Sequence, residues 1–120
     1  MSELVNWQQS EWLTSGAVLR AAISAASSGD NTLVAAVTGK KIKVLGMVLV
    51  VTGDVDGRLE SGAGGTALTG VISLAADGNG FVLPMAPPHY HWVETAAGAL
   101  LNLELSAAVQ VSGCLVYYTE

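Results

Sequence analysis

Charge is the first thing this sequence is short of. Only 12% of its 120 residues are Asp, Glu, Lys or Arg, about half the usual share. The five cations, Arg20, Lys40, Lys41, Lys43 and Arg58, are scattered, and ten acidic residues outnumber them for a net charge of −5. No basic face is available to displace counterions from phosphates, which excludes a nucleic-acid partner. Cysteine is nearly absent. The lone Cys114 rules out an intramolecular disulfide framework, and its place in the apolar run VQVSGCLVYY predicts a buried, unreactive thiol. Histidine is limited to His89 and His91. No run of eighteen apolar residues exists, and the longest stretch, VLGMVLVV (44–51), is strand-sized, so no membrane partner is expected. The opening MSELVNWQQSEW has neither a basic start nor an apolar core, so it does not read as a signal peptide. A soluble protein made in a cytoplasm is the expectation.

Small apolar residues fill the space that charge leaves. Hydrophobic residues make up 51% of the chain, with 14 glycines. Water keeps so weakly charged a monomer in solution poorly, which predicts that much of the surface lies against other subunits. The length suits one domain with a core of its own, burying roughly two thirds of the unfolded surface.

Residues 17–120 read as short β segments separated by Gly, Asn, Asp and Pro. From Ala17 to Ala25, Leu19, Ala21 and Ile23 share one face while Arg20, Ala22 and Ser24 share the other. SSGDN (27–31) reads as a turn; TLVAAV (32–37) and the β-branched IKVLGMVLVV (42–51) follow. GDVDG (53–57) predicts a hairpin turn into RLES, and GAGG (62–65) a turn into TALTGVISLAA. DGNG (77–80) is the strongest hairpin signal. FVLPM, HYHWVE, LLNLELS and VQVSGCLVYY complete eight or nine strands at roughly ten-residue spacing. That spacing predicts an all-β antiparallel β-sandwich, jelly-roll-like, with a helical reading of SGAVLRAAISAA ranked second. Residues 1–16 form a separate N-terminal arm, which carries Trp7 and Trp12 and shows no β alternation. Each indole hides about 150–250 Å² when buried, so the arm is expected to dock, on its own sandwich or on a neighbour.

PPHYHW (87–92) holds both histidines, and Glu94 follows. A cluster of this type is the raw material of a metal site. On a regular strand, however, His89 and His91 share a face with Val93, whereas Glu94 lies opposite with Tyr90 and Trp92. That leaves two ligands where a catalytic metal needs three. The motif resembles the first metal-binding motif of the cupin enzymes only in part: just Trp92 and Val93 separate His91 from Glu94, and no third histidine exists. GDVDG supplies two carboxylates, Asp54 and Asp56, too few for a calcium loop of EF-hand type. SGAGGTALTG lacks the ending of a phosphate-binding loop. No catalytic, cofactor or metal residue is therefore assigned, no cofactor is expected, and the chain does not read as an enzyme.

Three blocks in order, SGDNTLVAAVTGKKIKVLGMVLV, GGTALTGVISLAADG and VETAAGALLNLELSAAV, followed by a final β run, resemble a group of small proteins encoded by tailed bacteriophages and prophages. The resemblance spans roughly residues 22–118 and leaves out the arm. It implies a single-domain β-sandwich virion protein, foremost a capsid decoration or cement protein on the outside of the head. The alternative it implies is a small accessory tail or fibre module that binds a partner protein or a host glycan. The implied partners are the major capsid protein and further copies of the chain, with a trimer favoured, assembled in the bacterial cytoplasm. Such proteins have no defined catalytic residues. The contact residues proposed from the sequence are Leu4, Trp7 and Trp12 in the arm, and His89, Tyr90, His91 and Trp92 as a second patch. Histidines stacked across a symmetric interface would repel on protonation, which predicts weaker assembly near pH 5.

Overall fold

A computed structural model describes residues 17–75, 77–87 and 89–120. Leu4, Trp7, Trp12 and the rest of the arm lie outside the described residues. Within them the chain is all-β with no helix, so the helical reading of the first segment gives way to a strand. The ten strands are β1 (Leu19–Ala25), β2 (Gly29–Val34), β3 (Ile42–Val51), β4 (Val55–Ser61), β5 (Thr66–Ala67), β6 (Ile72–Leu74), β7 (Gly80–Leu83), β8 (Val93–Glu94), β9 (Leu101–Leu105) and β10 (Val111–Thr119).

They form two antiparallel sheets packed face to face, a β-sandwich. Sheet A has the order β1-β10-β3-β7 with β8 also on β3, and sheet B the order β2-β9-β4-β5 with β6 also on β4. The pairing is nested: β1 meets β10, β2 meets β9, β3 meets β7 and β8, and β4 meets β5 and β6. The chain therefore passes back and forth between the sheets, with β4 to β6 staying in sheet B and β7 and β8 in sheet A, which changes the meaning of two turns. DGNG joins β6 in sheet B to β7 in sheet A, so it is a crossing between sheets and not a hairpin. Its Gly78 N–H instead donates to the Val51 carbonyl at the end of β3 (2.8 Å). GDVDG likewise crosses from β3 to β4, with Val55, Asp56 and Gly57 already in the strand. A turn motif specifies a reversal of direction; which strand receives the chain depends on where apolar faces can be buried. GAGG does make the hairpin expected of it, bringing Ser61 opposite Thr66.

The core lies between the sheets. Ile23, Val44, Leu49, Val111 and Leu115 come from sheet A, and Val55, Leu59, Leu101, Leu103 and Leu105 from sheet B, all at most 4% exposed. One irregularity shapes the functional side. In β3 the inward residues are even-numbered at Ile42 and Val44 and odd-numbered at Met47, Leu49 and Val51. The phase changes at a bulge, where Val116 faces Gly46 and Tyr117 faces Val44, leaving Leu45 without a partner in the ladder. An extra residue on one strand is what a β-bulge inserts, and here it keeps an apolar residue pointing inward on both sides of the kink.

Candidate interaction face

The bulge frees backbone groups that hold the segment between β7 and β8. Ala86 N–H donates to the Leu45 carbonyl (2.8 Å) and Trp92 N–H to the Val44 carbonyl (2.8 Å). Gly46 makes the crossing possible: a Cβ there would lie 3.3 Å from the Leu83 carbonyl oxygen and 3.5 Å from the Met85 Cα. Within the loop, Tyr90 N–H donates to the Pro87 carbonyl (3.1 Å) across a tight turn whose third residue, His89, has φ of 73°. Among the described residues His89 alone, apart from glycines, has positive φ. The indole Nε1–H of Trp92 donates to the Pro84 carbonyl (2.7 Å), so the ring is fixed while 47% of the residue remains exposed. Tyr90 is 65% exposed and Met85 53%. Pro84, Met85, Ala86, Pro87, Tyr90, His91 and Trp92 together line an open groove of about 420 Å³.

The strand periodicity expected for HYHWVE does not hold. Only Val93 and Glu94 are in strand β8, and the turn before them breaks the alternation. His91 Nε2 consequently lies 3.2 Å from Glu94 Oε1, so the two groups assigned to opposite faces meet. Glu94 also pairs with Lys41 (3.3 Å). Burial by itself would raise its pKa, but the hydrogen bond from Lys41, then the charges of Lys41, His91 and Lys43, hold it below the usual glutamate value. A charge on His91 is thus met by a carboxylate within the same chain. Beside this pair, Lys43 bonds Glu120, which raises the lysine's pKa against the opposing effect of burial. These ion pairs gather at the β8 end of sheet A.

Away from that end the outer face of sheet A carries an apolar row, flanked by rows in which Arg20, Ser24 and Ser112 are also exposed. Register places Ala22, Cys114, Val48 and Val82 in one row across β1, β10, β3 and β7, and all four are exposed. Val50 and Val116 flank the row on the neighbouring strands. Cys114 is therefore not the buried thiol its apolar surroundings suggested. An apolar run places alternate residues on both faces of a strand, and here the outer face has no second layer among the described residues. Gly46, Val48, Val82, Pro84, Met85, Cys114 and Val116 border a shallow hollow of about 260 Å³. It shares Pro84 and Met85 with the aromatic groove, so the two form one surface.

Of the residues proposed from the sequence, His89, Tyr90, His91 and Trp92 stand together on one loop at the rim of this face. The arm residues lie outside the described residues. The row of Ala22, Val48, Val82 and Cys114 escaped the sequence reading. Strict alternation in IKVLGMVLVV would place Val48 and Val50 on the face of Ile42 and Val44; the bulge at Leu45 turns them outward, and only the strand order aligns Val48 with Cys114 and Val82. No family model, curated protein or solved structure matches the chain, so its functional reading rests on these residues and their geometry.

Proposed function

We propose that this protein is a structural subunit that binds a protein shell, a decoration or cement protein on the outside of a phage head. The observation that carries the proposal is the exposed apolar row of Ala22, Cys114, Val48 and Val82 on sheet A, continuous with the exposed rings of Tyr90 and Trp92, the latter fixed by its bond to Pro84. Apolar patches of this kind mark association surfaces, and aromatic anchors contribute much of the binding free energy where they become buried. The sequence blocks that resemble phage virion proteins supply the identity of the shell, and the nested strand order supports a jelly-roll wrap. In this reading Leu4, Trp7 and Trp12 add contacts to the shell or to a neighbouring subunit. Copies associate, with a trimer favoured, so that repeated modest interfaces gain from avidity. The second reading, a tail or fibre module that binds a glycan, draws on the same Tyr90 and Trp92 as a stacking platform.

The test is co-sedimentation with heads that lack the protein, using Val82→Glu and Trp92→Ala. Val82 is 64% and Trp92 47% exposed, neither in the core, so each variant is expected to fold, and each should lose at least about tenfold in occupancy, the loss of one hot-spot contact. Occupancy equal to the unmodified protein in both variants refutes the proposal. Glycan binding abolished by Trp92→Ala and untouched by Val82→Glu favours the second reading.

A further inference from the structure

The two sheets present unlike outer faces. Polar rows cross sheet B, Asp30–Glu104–Arg58 and Thr32–Asn102–Glu60, and there Arg58 pairs with Glu60 (2.6 Å) and Glu104 (3.8 Å). Such a face suits water. Sheet A instead exposes the row of Ala22, Cys114, Val48 and Val82, with Val50 and Met85 also exposed beside it. Bare apolar surface of this kind brings copies of a chain together, so a subunit that reaches its shell as separate copies gains from a cover over the row.

The chain carries a segment of the right chemistry, attached at the right place. Residues 1–16 hold Leu4, Val5, Trp7, Trp12 and Leu13, and their only charged side chains are Glu3 and Glu11. They lead into β1, which is the edge strand of sheet A. From Leu19, where β1 begins, the row at Ala22 is three residues away. Its far end at Val82 is three strand spacings across the sheet, which puts Val82 about 18 Å from Leu19. Trp12 lies seven and Trp7 twelve residues before Leu19, lengths that reach at most about 25 and 43 Å. Both indoles can therefore span the row. Charge agrees: Arg20 is exposed on the outer face of β1 and has no ion-pair partner among the described residues, while the arm offers carboxylates. So short a tether also holds the arm at an effective concentration of about millimolar, which favours the chain's own arm over that of a second copy in dilute solution.

We propose that in the free protein residues 1–16 of the same chain cover the outer face of sheet A, Trp7 and Trp12 against the row around Cys114 and Glu11 toward Arg20, and that the shell displaces them when it takes this face. The displacement rests on the shell-binding function proposed above; the cover does not. The arm then inhibits its own subunit, and its tryptophans become free to contact the shell or a neighbouring copy only on assembly.

Cys114 is the lone thiol and stands in the row, so the rate of maleimide labelling of the full chain reads the cover directly. An arm in place nine-tenths of the time slows labelling at least about tenfold relative to Trp7→Ser/Trp12→Ser, because the rate follows the open fraction. Once unfolded in urea, the two proteins should label alike. A second readout does not depend on that variant: in a Trp92→Phe background, emission from Trp7 and Trp12 should move to longer wavelength when Val82→Glu places a charge in the row. Equal labelling rates, or an emission that Val82→Glu leaves unmoved, overturn the proposal. Protection that grows with protein concentration overturns it as well, since a second copy would then be the cover. Heads that take up Trp7→Ser/Trp12→Ser no faster than the unmodified protein overturn the displacement. Labelling uses no heads, so the two readings fail separately. A protected thiol, with Val82→Glu and Trp92→Ala still filling heads, refutes shell binding by this face alone; an open thiol, with those variants failing to bind, refutes the cover alone.

Discussion

Gly113 supports the sharpest stability prediction, because it lies where β10 runs between β1 and β3 in the middle of sheet A. A Cβ built there would lie 1.9 Å from the Val48 carbonyl oxygen, 2.8 Å from the Val48 carbonyl carbon and 2.9 Å from the Leu49 Cα. All three are backbone atoms, so no side chain can swing aside. Real Cβ atoms essentially never come within 3.0 Å of a neighbour, so Gly113→Ala forces β10 and β3 apart by about 1.1 Å. Ladder bonds near 2.9 Å would stretch to about 4 Å, beyond any useful hydrogen bond. Losing one or two such bonds, and leaving their groups inside the sheet unpaired, costs about 3–5 kcal/mol. A small domain has only about 5–15 kcal/mol in all. In urea melts with a slope of about 1.5 kcal/mol/M, the midpoint should fall by about 2–3 M. Gly70→Ala is the control, since nothing lies within 4 Å of its Cβ position, and it should change the midpoint little. A Gly113→Ala midpoint within about 0.5 M of the unmodified protein would show that the steric reasoning is wrong.

Two further outcomes are expected. At the left-handed turn position His89, with φ of 73°, His89→Gly should be at least about 1 kcal/mol more stable than His89→Val, because a β-branched side chain suffers most there; equal thermal midpoints would refute this. Glu94 is held below its usual pKa by Lys41 and His91 against the effect of burial, so the unfolded chain takes up its proton first as pH falls. Its contribution is complete above the ordinary glutamate pKa and disappears as pH drops through the lowered value. Melting curves from neutral pH down to pH 3 should show Glu94→Gln less stable at neutral pH and converging with the unmodified protein in acid. A constant gap across the range would contradict this account.

The sequence by itself determined the class of fold and most of the strands. Ile42–Val51 is the strand its β-branched run predicts, and the alternation of Arg20, Ala22 and Ser24 against Ala21 and Ile23 matches outside against inside. These are local properties, fixed by a side-chain period of two. Strand neighbours were not legible. DGNG and GDVDG signal turns equally well for a hairpin and for a crossing between sheets, and the nested burial of apolar faces chose the crossing. The HYHWVE segment failed as a strand because the Pro87 turn and the positive φ of His89 reset the direction of its side chains. His91 and Glu94 meet as a result. Cys114, Val48 and Val82 lie far apart in the chain and share a surface only through strand register; Asp30, Glu60, Asn102 and Glu104 do so in the same way on the other sheet. Composition shows a chain short of charge and rich in small apolar residues, part of which must lie on the surface. Tertiary structure alone decided which sheet bears them, because pairing across strands joins residues that no local pattern connects.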